Sequence, residues 1–166
     1  MFFDPDNLAF RNLQPGDAGW LIQRHAELYA ECEGFDSTFE VFVAQIMIDY
    51  MTNHDPEIER FWIVESGDHR LGSICCAKSD EPGVAKLRLF LIEPAARGYG
   101  LGRQLIEDCL VFATECGYST MRLWTFESLV VACALYAKHG FECVSSKRAN
   151  FFGADRVEQV WERPLG

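Results

Sequence analysis

Phe90-Leu91-Ile92-Glu93-Pro94-Ala95-Ala96-Arg97-Gly98-Tyr99-Gly100-Leu101-Gly102-Arg103 passes from an apolar run, through a turn with three glycines, into the start of a helix. Glycine lets backbone come close to a ligand and adopt positive φ. The first amides of a helix have no partner within it, and the helix dipole favours negative charge there. A Gly-rich turn opening a helix therefore reads as a pyrophosphate cradle, and Arg97 and Arg103 add positive charge to it. Two familiar phosphate sites do not fit. A P-loop ends in Gly-Lys-Ser/Thr, whereas this turn ends Gly102-Arg103-Gln104. A dinucleotide fingerprint needs G-x-G-x-x-G, but the glycines here fall at 98, 100 and 102.

The segments on either side set the fold class. The run belongs to a strand over residues 84–93, whose Leu87, Leu89, Phe90, Leu91 and Ile92 suggest a central strand buried on both faces. A helix follows over 100–116, with Leu101, Leu105, Cys109 and Ala113 as its apolar stripe and Gly117 as its stop. Upstream, residues 8–13 read as a strand. Asp17 caps a helix to about Cys32, with Leu21, His25, Leu28 and Cys32 on one face. Ser37-Thr38-Phe39-Glu40 reads as a capping box for a second helix that ends before Asp55-Pro56. Strands over 58–65 and 71–77 form a hairpin around Gly67-Asp68. Downstream come a strand over 119–126, a helix over 129–139, and two closing strands over 141–146 and 157–162. The order β-α-α-β-β-β-α-β-α-β-β predicts an α/β (α+β) domain: about seven strands in a mixed, mainly antiparallel sheet, flanked by about four helices. Residues 1–166 read as one domain, since a chain this long can bury about 70% of its unfolded surface.

Composition narrows the partners. With 15 Lys+Arg against 25 Asp+Glu, the formal charge is −10, which argues against nucleic acid and against an anionic membrane surface. No apolar run is long enough to span a bilayer. The seven cysteines form no C-x-x-C pair, so no metal site is expected, and they read as buried free thiols of a cytoplasmic protein. Cys75 and Cys76 are adjacent on a strand and point to opposite faces.

Arg97, Gly100 and Gly102 fit the pattern Arg/Gln-x-x-Gly-x-Gly/Ala, and within Ala134-Leu135-Tyr136-Ala137-Lys138-His139-Gly140-Phe141 the run from Leu135 fits the LY-x-x-x-GF of the A-x-x-LY-x-x-x-GF signature. With these two blocks and the element order, the chain resembles the GNAT superfamily of acyl-CoA-dependent N-acyltransferases over essentially its full length. Leu87-Arg88-Leu89, Leu123-Trp124-Thr125 and Trp161-Glu162 bring it nearest to the acetyltransferase half of MarR–GNAT fusion proteins.

The resemblance implies transfer of an acetyl group from acetyl-CoA, as cosubstrate, to a primary amine by direct attack. It implies a pantetheine arm along the backbone of Phe90, Leu91 and Ile92, near a bulge. The pyrophosphate would rest on the amides of Gly98, Tyr99, Gly100, Leu101, Gly102 and Arg103, with Arg97 beside it. Tyr136 falls where the family places the general acid that protonates the departing thiolate, a task open to a phenol. Where many relatives carry a strand-four Glu as base, this chain has Lys86 and Arg88. Glu33, Glu93, Glu127 and His139 are the remaining candidates, each reading as a solvated group, so the base stays unassigned. Tyr29, Glu33, Phe35 and Trp124 fall where the family selects its acceptor, and an acidic, aromatic lining would suit a small-molecule or peptide amine. Leu129 stands where the family often has an Asn that contacts the cofactor. A catalytically silent acyl-CoA-binding sensor is the alternative reading. Oligomeric state stays open, with a homodimer as the state the resemblance suggests.

Overall fold

The computed structural model describes residues 3–166. Its elements are β1 (Ala9–Arg11), α1 (Asp17–Glu33), α2 (Ser37–Asn53), β2 (Arg60–Ser66), β3 (His69–Lys78), β4 (Val84–Ile92), α3 (Leu101–Glu115), β5 (Thr120–Phe126), α4 (Val130–Lys138), β6 (Glu142–Phe151) and β7 (Ala154–Pro164). The expected order is the observed one. The strands form one seven-stranded sheet in the spatial order β1-β2-β3-β4-β5-β7-β6. All neighbours are antiparallel except β4 and β5, because α3 carries the chain back over the sheet between them.

The sheet separates two apolar cores. On one face α3 lays Leu105, Ile106, Cys109 and Ala113 against Ile74, Cys76, Leu87, Met121 and Leu123. On the other, Leu21 of α1 and Met47 of α2 close over Phe61, Ile63 and Cys75. Cys75 and Cys76 thus face opposite cores, as strand alternation requires. Tyr29, Phe35, Phe39, Phe126 and Phe152 gather in a third, aromatic cluster, where the α1–α2 connection meets the β6–β7 turn.

Several local expectations are corrected. Asp17 does not cap α1. Gly16 takes the cap position at φ +94°, and the buried Asp17 carboxylate instead accepts from Arg11 at 2.7 Å, Arg70 at 2.7 Å and the Gln14 amide at 2.7 Å. Asp36, not Ser37, caps α2: its carboxylate accepts from the Thr38 amide at 2.9 Å, which puts Glu40 one position too late for a capping box. Cys32 is exposed. Only Cys75, Cys76 and Cys109 of the seven cysteines are buried. β6 and β7 run several residues past the expected spans, because most of β6 is exposed and lacks the apolar alternation that marks a strand.

Candidate active site

β4 is central in the sheet, yet it is not buried on both faces along its length: Arg88, Leu89 and Phe90 are half-exposed. The cause is its register on each side. Against β3, Ser73 pairs with Leu91 and Cys75 with Arg88, so β4 carries one extra residue and bulges. Leu89 sits in the bulge at φ +48°, a conformation rare for a bulky side chain and costing about 1–3 kcal/mol. The Ser73 hydroxyl holds it by donating to the Leu89 carbonyl at 2.7 Å. Against β5, pairing stops after Val84–Thr120, Ala85–Met121 and Lys86–Arg122. Beyond Lys86 the two strands diverge, and a cleft of about 1110 Å³ opens between them.

The Gly-rich turn lies at the mouth of this cleft. Gly98 and Gly100 adopt φ +86° and +79°, which turn the chain into α3. Gly102 serves closeness instead: a Cβ there would stand 3.2 Å from the Phe90 ring and 3.4 Å from Leu135. The first helical bond of α3 runs from the Gln104 amide to the Gly100 carbonyl at 3.0 Å. Among the described residues nothing accepts from the amides of Leu101, Gly102 or Arg103. Free amides over a surface with no room for a side chain fit a diphosphate. Arg97 lines the cleft beside them, with Nε donating to the Ile92 carbonyl at 3.3 Å. Arg103 is exposed and turned along the helix to Glu107 at 2.8 Å. Leu101 is core, and the half-exposed Tyr99 ring meets Phe3 edge-on at 5.2 Å.

Phe90, Leu91, Ile92, Tyr136, Tyr29, Glu33, Trp124 and Leu129 all line the cleft. Phe35 does not. It stands behind the wall, 5.2 Å from Phe126 ring to ring. Tyr136 is 5% exposed, its ring 6.1 Å from Phe90, and its hydroxyl has no hydrogen-bond partner among the described residues. Burial pushes that phenol well above its ordinary range, with Tyr29 and Cys133 adding to the effect, so it holds its proton at neutral pH. Burial likewise raises Tyr29, to about 12.

None of the four sequence-nominated bases is a free group in the cleft. Glu33 is buried, not solvated: Arg156 donates to it at 2.8 Å and the Ser128 hydroxyl at 2.6 Å. Glu93 is held by Arg24 through two bonds of 2.6 and 2.8 Å. Glu127 is exposed, and it is not among the lining residues. His139 lines a separate, shallower hollow of about 680 Å³ behind α3, 3.6 Å from Glu107.

The structure instead brings into the cleft two titratable groups that sequence reading did not nominate. His25 donates from Nδ1 to the Leu21 carbonyl at 2.7 Å, while its buried Nε2 has no partner. Burial lowers its pKa to about 4 against the opposing pull of the Leu21 carbonyl and Glu93, so it is neutral. Glu158 of β7 lines the same cleft, and burial raises its carboxyl against the pull of Lys147. The helical spacing of His25 was visible, but only as a core position. No signal in the sequence marked Glu158.

A model described as the acetyltransferase (GNAT) family matches residues 22–141. An IAA acetyltransferase of Azospirillum brasilense is 30% identical over 121 residues, covering 72% of this chain and 76% of the relative. An uncharacterized N-acetyltransferase of Schizosaccharomyces pombe is 27% identical over 128 residues, covering 76% and 75%. Among solved structures, a GCN5-related N-acetyltransferase from Kribbella flavida superposes with a TM-score of 0.77 at 25% identity, covering 98% of this chain and all of that one. A spermidine N-acetyltransferase from Vibrio cholerae, in complex with CoA and spermine, shares the fold with a TM-score of 0.73 at 20% identity, covering 96% of both chains.

Proposed function

The chain belongs to the acetyltransferase (GNAT) family, and from that premise we propose that it transfers an acetyl group from acetyl-CoA to a primary amine, with Tyr136 as the general acid. When bound, acetyl-CoA supplies the acetyl group as a thioester: the amine nitrogen bonds to the carbonyl carbon, the carbon–sulfur bond breaks, and the sulfur leaves with the electron pair. The protein's part is to bind, orient and manage protons. The amides of Leu101, Gly102 and Arg103, with Gly98, Tyr99 and Gly100 before them and Arg97 beside them, hold the diphosphate. The open edge of β4 at Phe90, Leu91 and Ile92 offers backbone groups to the pantetheine arm. Tyr136 holds a proton at its hydroxyl for the sulfur. The amine's proton passes to solvent or to the neutral His25 ring, which stands in the cleft.

The observation that carries this reading is the coincidence of three features on one cleft: the bulge at Leu89, the unsatisfied amides at the start of α3, and an unpartnered buried Tyr136. Leu129 in the cofactor wall and the lack of an acid on β4 favour a silent acyl-CoA sensor, whereas the placement of Tyr136 favours catalysis. Substituting Tyr136→Phe separates the two. Turnover, read as thiol release, is expected to fall about tenfold or more, while the thermal shift caused by acetyl-CoA is retained. Unchanged turnover would remove Tyr136 from the mechanism. Coenzyme binding with no thiol release from any amine would establish the sensor.

A further inference from the structure

Lys86 and Arg88 alternate along β4, so both side chains lie on the sheet face covered by α1 and α2, the face of Cys75. Both line the cleft. Neither forms an ion pair or a side-chain hydrogen bond with any described residue. In a chain with ten more acids than bases that is unusual. The half-buried Arg11, Arg24, Arg70, Arg122 and Arg156 each reach a carboxylate within 2.9 Å. Asp49 attracts Arg88, and Asp80 and Glu59 attract Lys86, only through space. Burial is the main cost to both cations: it lowers the pKa of each, and Arg88 lowers Lys86 further.

The acids of the cleft do not answer this charge. Glu33 is engaged by Arg156 and Ser128. Glu158 is pushed by burial toward its neutral form. The lining that sequence reading took as acidic, and suited to an ammonium group, is therefore cationic where it faces the β4–β5 gap. Across that gap on the same face stands Trp124, 44% exposed, two residues beyond the Arg122 that pairs with Lys86.

A half-buried guanidinium without a counter-ion is costly, and its planar fork matches a carboxylate through two parallel bonds. Two such cations on one wall also repel a polycation. We infer that the acceptor amine carries a carboxylate gripped by Arg88 with Lys86 beside it, so that the substrates are free amino acids or amino-acid-like molecules rather than polyamines or aminoglycosides. The inference rests on the acetyltransferase reading above and names its substrate class.

The test measures thiol release from acetyl-CoA with the full chain, using the twenty amino acids, their carboxamides, and spermidine. At least one amino acid is expected to exceed its own carboxamide in kcat/KM by roughly 100-fold. The difference is expected mainly in KM. Arg88→Met is expected to bring that ratio close to one, and Arg88→Lys to restore part of it. A variant that merely unsettled the fold would lower both members of each pair alike. The thermal shift with acetyl-CoA, measured on every variant, controls for folding and for the coenzyme site. Equal or better acetylation of carboxamides or spermidine overturns the substrate inference and leaves the acetyltransferase reading standing. Coenzyme binding with no thiol release from any acceptor overturns both.

Discussion

His25 makes the most specific claim at the scale of single residues. Its Nδ1 is committed to the Leu21 carbonyl, its Nε2 is buried without a partner, and its pKa is lowered to about 4 by burial. The unfolded chain, with an ordinary value near 6.5, takes up the proton first as pH falls. Stability is therefore full above about pH 6.5 and is lost as pH drops through the native value, by about 3 kcal/mol in all. Thermal unfolding followed from pH 7 to pH 4 should show this acid limb, and His25→Phe should flatten its slope whatever it does to the absolute Tm. An unchanged slope would mean that the native ring takes up its proton over the same pH range as the unfolded one. This property was not legible in the sequence, where His25 appears only as one member of an apolar stripe. The same holds for Glu33, whose partner Arg156 lies 123 residues away. Local spacing can place a residue on a helix face, but it says nothing of a partner brought in by the far end of the sheet. Tyr136 and the glycines could be nominated because their roles are local to one turn or one short block.

At the scale of elements, the strand–turn–helix unit around Gly98, Gly100 and Gly102 was legible because each glycine answers a local demand. Two supply positive φ, and one makes room beneath Phe90 and Leu135. The third glycine yields a prediction. Gly102→Val keeps the turn conformation but drives two methyl groups toward the Phe90 ring and the cradle. Coenzyme affinity should fall at least about tenfold, the overpacking of a close contact being worth 1–3 kcal/mol. Calorimetric titration with coenzyme A measures it, and affinity within about twofold of the parent would show that the diphosphate does not approach this backbone. Element boundaries were legible to within a few residues wherever apolar periodicity sets them, as in α3. They failed in β6 and β7, whose pairing runs on through polar residues to a turn at Phe152-Gly153. That turn is held by the α1–α2 connection, with the Asp36 amide donating to the Phe152 carbonyl at 2.9 Å. The bulge at Leu89 was expected only through family resemblance, since nothing in a Leu-Phe-Leu run announces an extra residue.

Over the whole molecule, the sheet consists of two parts joined by a short ladder. Strands β1 to β4 form one part and β5, β7 and β6 the other, and three residue pairs link them. Ligand binding along the open edge of β4 should therefore register at the ligand's own contacts and not across the whole sheet. At about 100 times its dissociation constant, acetyl-CoA adds roughly 2.7 kcal/mol to stability. Amide exchange should slow along Phe90, Leu91 and Ile92 and at the start of α3, with little change in β1 or β6. Uniform slowing across the sheet would contradict the two-part description. The same ladder has a mechanical consequence. β1 lies at the outer edge of one part, while the C-terminal strand β7 lies in the other, so tension applied between the two ends of the chain must cross the seam between Val84–Lys86 and Thr120–Arg122. Stretched in an optical trap, the protein has a built-in weak link at the base of its own cleft, and a molecule lodged there acts as a rivet, its presence readable as added rupture force.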